Sequence, residues 1–251
     1  PRSMSTVLPE VRNDGERLVV IPRDKTRYET DKLLGRGGMG EVKLAQDHDI
    51  GRKVAVKRLL DEGNPHAVAR FIDEVRTVGS LEHPNIVPIH DVGVDDDGRY
   101  FFVMKYVEGQ TLADIIDRLA AGDPATTAFW SFERRAELMI AVLQALDYAH
   151  ERGVIHRDIK PENIMVGSHG EVRLMDWGIA RRVDQPDPGE GTGLIGTPAY
   201  MSPEQCACGP LDRRSDVYSA VVTLHEFMGL RHYLTHHADS MFGLIEAVQN
   251  E

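Results

Sequence analysis

From Tyr28 to Val107 the apolar residues come in short runs broken by glycine and aspartate. "YETDKLLGRGG", "GEVKLAQD" and "KVAVKRLL" carry enough aliphatic and β-branched positions for strands, and the breaks between them are turn-forming. The period then changes. In "HAVARFIDEVRTVGSL", Phe71, Val75 and Val78 recur at four and three, one face of a helix, with Glu74 at the margin of that face. "NIVPIHDVGV" and "RYFFVMKYV" return to strand character around "DDDG", whose Asp97-Gly98 is a tight-turn dipeptide. These residues predict a small antiparallel sheet carrying one helix. Residues 1–26 are mixed and polar, with Pro9, Gly15 and Pro22 scattered through them. They read as a flexible leader in which "RLVVIP" is at most one short strand, and "PRS" before Met4 reads as a cloning remnant.

Beyond Gly109 the pattern is helical. Ser131 stands as N-cap for "FERRAELMIAVLQALDYAHERG", where Met139, Val142, Leu143 and Leu146 line one face and Gly153 ends it. "DVYSAVVTLHEFMGL" is mostly apolar and short enough to be a buried core helix. Two stretches fit neither period. "GVIHRDIKPENIMV" sets charges of both signs between apolar ends, and Pro161 excludes a helix there. Asp176 to Pro203 is rich in Gly, Asp and Pro, the composition of a functional or disordered loop.

Length and charge narrow the function. A chain of 251 residues suffices for one large domain or for two lobes sharing a cleft. A formal net charge of −11 argues against nucleic acid or an anionic membrane as partner, so any anion site must be local. Cys206 and Cys208, one residue apart, lack the further ligands of a zinc site and read as reduced thiols in a cytosolic protein. No apolar run approaches the ~18 residues of a membrane span. His232, His236 and His237 read as ordinary surface histidines, and "DDDG" as a solvated turn.

Chemistry enters with "LGRGGMGEVKLA". Gly35, Gly37 and Gly40 let a backbone pass close to a bulky anion, whose oxygens successive N–H groups can bind. A dinucleotide site of this spacing requires a helix next; a strand follows here, which disfavours that fold. In "VAVK", Lys57 is either a solvated strand-end lysine or a phosphate ligand held by a carboxylate, for which Glu74 is the candidate.

The ordered set "GRGGMGEV", "VAVK", Glu74, "HRDIKPEN", "DWG" and "SPE" resembles the eukaryotic-type, or Hanks-type, serine/threonine protein kinases, in style the bacterial ones. The resemblance implies an α+β, bilobal protein-kinase fold: an antiparallel-sheet N-lobe with hinge over residues 27–107, and a mainly helical C-lobe over 108–251. Gly35, Gly37, Gly38 and Gly40 would cover the phosphates of ATP, and Lys57, paired with Glu74, would bind the α- and β-phosphates. Asp158 would accept or orient the substrate hydroxyl proton, and Lys160 would meet the γ-phosphate. Asn163 and Asp176 would hold Mg2+, with Mn2+ as the alternative ion. Val42, Ala55 and Met165 would sandwich the adenine, with Met104 as gatekeeper and backbone groups of Lys105 and Val107 on the adenine edge. His156, Trp177, Val78 and Ile89 would stack between the lobes, and Asp216 would anchor the "HRD" backbone. Thr197 would bond Asp158 and Lys160. Arg157 implies control by a phosphate, for which Thr192 is the candidate autophosphorylation site.

The implied substrates are proteins bearing serine or threonine, in the cytoplasm, with no nucleic acid and no membrane segment in this chain; oligomeric state has no signal. Three departures stand out. Trp177 replaces the usual phenylalanine, and Lys105 a common glutamate. Glu204 of "SPE" expects an arginine, yet the only later ones are Arg213, Arg214 and Arg231, and Glu251 ends the chain where last helices are expected. This leaves a truncated or non-catalytic pseudokinase-like binding module as the alternative. A small-molecule phosphotransferase is opposed by Lys160 and by "GTPAYMSPEQ", which resembles a peptide-substrate platform.

Overall fold

The computed structural model describes residues 10–13, 17–21, 26–37, 40–61, 63–182, 196–235 and 240–250. The chain divides into two compact units, one of Pro1–Asn64 with His90–Tyr106 and one of Pro65–Ile89 with Val107–Glu251.

In the first unit, β1 (Glu10–Asn13) and β2 (Leu18–Ile21) pair antiparallel. Residues 1–26 therefore hold two strands where one at most was expected. The overlooked signal is Asp14-Gly15, a hairpin dipeptide between two short runs. The expected sheet follows, in the order β3-β4-β5-β7-β6: β3 (Tyr28–Arg36), β4 (Gly40–Asp47), β5 (Arg52–Leu59), β6 (Ile89–Val94) and β7 (Tyr100–Lys105). Alternation along β5 sorts its faces. Val54 and Val56 join Ala45 and Val103 in a buried cluster backed by Tyr28 and Phe101, while Ala55 and Lys57 are buried toward the opposite face. An ion network ties the strand ends. Arg27 donates to the buried Asp47 at 3.2 and 3.3 Å and to Asp91 at 3.0 Å, and the Tyr28 hydroxyl donates to Asp91 at 2.7 Å.

The second unit begins with α1 (Pro65–Gly79), whose buried residues are Phe71, Glu74, Thr77 and Val78. Glu74 thus belongs to the packed face and not to its margin, since 71, 74 and 78 share one stripe. After β8 (Gly109–Thr111) come α2 (Leu112–Ala120), α3 (Pro124–Phe129) and α4 (Phe132–Glu151). Ser131 caps α4 by accepting from the Arg134 N–H. Leu143, expected on its buried face, is exposed. The packed stripe runs through Leu138, Val142, Ala145 and Ala149, and residue 143 lies about 100° around the helix from Val142.

Short strands then frame the charged stretch: β9 (Val154–Ile155), β10 (Ile164–Gly167), β11 (Val172–Leu174) and β12 (Arg181–Arg182). β9 pairs with β12, and β10 lies between β8 and β11. The segment after α1 is bound to β11 through Leu174 N–H to Asn85 C=O at 2.7 Å and Val87 N–H to Leu174 C=O at 3.2 Å. Past α5 (Pro203–Cys206) runs α6 (Arg213–Gly229), and α7 (Met241–Asn250) follows.

α6 departs from its expected apolar burial. Val217 and Val221 are exposed, whereas Ser215, Asp216, Ser219 and Thr223 are buried. The buried hydroxyls are satisfied: Ser219 donates to Tyr200 C=O at 2.7 Å and Thr223 to Ser219 C=O at 2.9 Å. Their small size suits a helix that packs closely on α4. Arg135 reaches across from α4, donating to Trp130 C=O at 3.1 Å and Phe227 C=O at 3.0 Å, so its charge meets the C-terminal end of the α6 dipole.

Asp47 makes stability depend on pH. Burial pushes its carboxyl up, but the Arg27 hydrogen bond and charge and the N–H groups of Asp49 and Ile50 outweigh this and hold it below the usual range. Its contribution is present above the unfolded value, about 4, and is lost as pH falls through the lower folded value. Asp47→Asn is expected to be less stable than the parent in urea at pH 7, with the difference shrinking as pH falls below about 4.

Candidate active site

Gly153, at φ 71°, ends α4 and turns the chain into β9, whose Val154 and Ile155 are buried. The next two N–H groups are captured by one carboxylate. Asp216, buried near the start of α6, accepts from His156 N–H through Oδ2 and from Arg157 N–H through Oδ1, both at 2.8 Å. His150 Nε2 also lies 2.7 Å from Oδ2. Arg157 is left-handed at φ 72°, a conformation that strains a residue with a Cβ by about 1–2 kcal/mol.

The Asp158 carboxylate is held on both oxygens. Oδ1 accepts from the Thr197 N–H at 3.1 Å and the Thr197 hydroxyl at 3.0 Å. Oδ2 lies 2.9 Å from Lys160 Nζ and accepts from Asn163 Nδ2 at 3.0 Å. Lys160 Nζ also donates to Thr197 Oγ1 at 2.6 Å, which closes a triangle of ammonium, hydroxyl and carboxylate. Asn163 Nδ2 bonds the Asp158 carbonyl as well, at 2.8 Å, so the Asn163 amide oxygen is the atom left for a cation. Met175 N–H to Asn163 C=O at 2.8 Å couples this loop to the segment bearing Asp176, an exposed residue at φ 53°. An amide oxygen and a carboxylate are hard donors that fit a hard divalent cation. Among the described residues no group of three His, Cys, Asp or Glu side chains forms a further metal cluster.

His156 is fully buried with its ring 4.5 Å from that of Trp177. Its Nδ1 accepts the Asp158 N–H at 3.3 Å, so the proton sits on Nε2, which donates to Met175 C=O at 3.0 Å. The larger indole of Trp177 is accommodated: it is buried and Nε1 donates to Leu174 C=O at 3.4 Å. Glu204 has Ser215 as its partner, whose hydroxyl donates at 2.6 Å. Burial raises the Glu204 carboxyl, but bonds from Ser215, its own N–H and Ser202 bring it below the ordinary value. Cys206 is buried and Cys208 exposed, both free. Two contributors in this unit escaped the sequence reading, His150 and Gln205. For Gln205 the signal was Ser202-x-x-Gln205, a capping-box pattern that α5 uses.

In the first unit, register gathers the expected nucleotide residues. Gly35 pairs with Val42, Val42 with Lys57, and Lys57 with Phe102, while Ala55 pairs with Met104 two residues along. Val42, Ala55, Lys57 and Met104 therefore share one face of the sheet. Lys57 is buried, its ammonium 5.8 Å from the centre of the Phe102 ring. Lys105 pairs with Val54 and faces the other way. In the second unit Val107 is buried, and Met165 is the half-exposed member of β10 between buried Ile164 and Val166. Glu74 is buried on α1. Gly38 and Thr192 lie outside the described residues, as do His236 and His237.

The glycines separate into two kinds. A Cβ on Gly40 would stand 2.3 Å from the Arg58 carbonyl oxygen, so the β4–β5 ladder itself requires glycine there. Among the described residues, a Cβ on Gly35 or Gly37 would meet nothing within 4 Å. Packing among the described residues does not require glycine at those two.

The description "Protein kinase domain" matches residues 28–249. A probable serine/threonine-protein kinase of Streptomyces coelicolor is 41% identical over 214 residues, which cover 82% of this chain and 30% of that protein. One from Bifidobacterium longum is 42% identical over 214 residues, 80% of this chain and 30% of that protein. A serine/threonine-protein kinase of Protochlamydia amoebophila is 34% identical over 234 residues, 84% of this chain and 24% of that protein. The chain thus spans about 30% or less of the length of these curated relatives.

The two kinds of glycine are separable by substitution. Gly40→Ala is expected to lose about 1–3 kcal/mol of stability in urea unfolding, the usual range for forced overpacking. Gly35→Ala is expected to unfold like the parent yet bind ATP more weakly in calorimetry.

Proposed function

The chain belongs to the protein kinase domain family, and on that premise we propose that it transfers the γ-phosphoryl group of ATP to serine or threonine hydroxyls of proteins. The observation that carries this reading is the Lys160–Thr197–Asp158 triangle, which sets a cation and a carboxylate around a single hydroxyl. A substrate hydroxyl entering beside Asp158 gives its proton to that carboxylate as its oxygen attacks the γ-phosphorus, and the bond from that phosphorus to the β,γ-bridging oxygen breaks to leave ADP. Lys160 balances charge on the transferred group, and Lys57 holds the phosphates that remain. Asn163 and Asp176 would hold a divalent cation such as magnesium, which would neutralise charge on the phosphate oxygens. Phosphoryl transfer asks chiefly for positioning and electrostatics, and Asp158, Lys160, Asn163 and Thr197 are each fixed by two bonds or more.

The relatives' names specify serine and threonine, and Lys160 and Thr197 fit the same preference. No helix among the described residues is long and apolar enough to cross a membrane. We place the domain's work in the cytoplasm, where ATP and reduced thiols such as Cys206 and Cys208 coexist.

With radiolabelled ATP, magnesium and a generic protein substrate, the chain should label serine and threonine, and Asp158→Asn should lose about 10²–10⁴-fold of the rate. Labelling equal to that of the variant would favour a nucleotide-binding module without transfer. Thr192 is proposed as an autophosphorylation site; phosphopeptide mapping of active protein should place phosphate on it, and active protein bare at Thr192 would refute that assignment.

A further inference from the structure

The carbonyl of Arg157 needs a partner as much as its N–H does. Left-handed backbone at φ 72° turns this carbonyl away from the regular path of the loop, toward the segment 196–206. Gln205 meets it there, donating from Nε2 at 2.9 Å. Gln205 is itself buried and doubly fixed: its Oε1 accepts from the Ser202 N–H at 3.1 Å and from the Ser202 hydroxyl at 3.3 Å, closing the α5 capping box. Gly196 also passes close, since a Cβ there would lie 3.3 Å from the same carbonyl and 3.7 Å from Asp158 Oδ1.

The consequence lies in the peptide plane. The Arg157 carbonyl belongs to the same planar unit as the Asp158 N–H, which His156 Nδ1 accepts at 3.3 Å. Gln205 and His156 thus grip one peptide from its two sides, and that peptide carries the Cα of Asp158. Thr197, five residues before the α5 N-cap Ser202, grips the carboxylate from the same segment.

We infer that Gln205 is a positioning residue for phosphoryl transfer, clamping the Arg157 carbonyl so that Asp158 stays aimed at the substrate hydroxyl. The catalytic part of this rests on the kinase reading above; the clamp itself does not. Gln205 touches neither substrate nor nucleotide in this role. It makes the polypeptide after Gly196 a partner of the catalytic loop through the main chain as well as through the Thr197 side chain.

Two variants separate the bonds. Gln205→Met removes both donor and acceptor, and Gln205→Glu keeps an oxygen for Ser202 while losing the amide donor. Residue-resolved amide hydrogen exchange on the whole chain tests the clamp without catalysis. Faster exchange at Arg157 and Asp158, by about tenfold, with α6 amides unchanged, is the expected result. Parent-like exchange at those two amides in a folded variant would overturn the clamp. In the transfer assay kcat should fall about 10- to 100-fold with the KM for ATP within about twofold, the mark of misplacement and not of lost nucleotide binding. An unchanged kcat in either folded variant would overturn the catalytic role. Should the methionine variant fail to fold, the glutamate variant decides both readouts. A parent without transfer activity above Asp158→Asn would refute the kinase reading alone, and the exchange result would still judge the clamp.

Discussion

One buried carboxylate sets the geometry on which the second unit's chemistry depends. Asp216 binds two consecutive N–H groups, those of His156 and Arg157, and a third partner in His150. Hydrogen bonds to a charged group contribute about 1.5–3 kcal/mol each, against about 1–2 kcal/mol of strain in a left-handed Arg157. Two such bonds therefore outweigh the distortion they impose. Because Arg157 is turned, Asp158 leaves the loop in a direction where Lys160, Asn163 and Thr197 can all reach its carboxylate. Remove the anchor and those four groups lose their common reference.

The need to place that anchor explains the polarity of α6. A helix chosen only for core burial would turn all its valines inward, yet Val217 and Val221 face solvent while Ser215, Asp216, Ser219 and Thr223 are covered beside Ala220, Val222 and Phe227. Each of the hydroxyls has a partner: Glu204 for Ser215, Tyr200 C=O for Ser219, and Ser219 C=O for Thr223. The covered face of α6 is a polar platform to which the catalytic loop and the segment 196–206 are tied. Arg135, donating to carbonyls at the far end of the same helix, fixes the platform against α4.

Period and turn chemistry made the main elements legible. The strands from Tyr28 to Lys105, the helix over Pro65–Gly79 and the Ser131 cap all follow from local pattern. What was not legible depended on partners distant in sequence. Leu143 looks like its neighbours on α4 but falls outside the packed stripe, and nothing local in "DVYSAVVTLHEF" says that its serine and threonine are on the covered side. At the site, the ordered motifs pointed to Asp158, Lys160, Asn163 and Thr197, and the fold brings the last three within hydrogen-bond distance of the Asp158 carboxylate. Gln205 was missed because its main job in the local pattern is to cap α5, and its second bond spans 48 residues.

Residues that serve the fold are set by what their side chains would touch. Gly40 is demanded by a carbonyl 2.3 Å from where its Cβ would lie, so its identity is settled by packing alone. Among the described residues Gly35 and Gly37 have room for a side chain. They forgo local stability in propensity without a packing gain that the described residues show. Both stand on the stretch that the proposed function gives to the phosphates. Burial and a hydrogen bond account for the place of Trp177, whereas at Gly35 and Gly37 the proposed approach of a phosphate chain supplies a reason that the described packing does not.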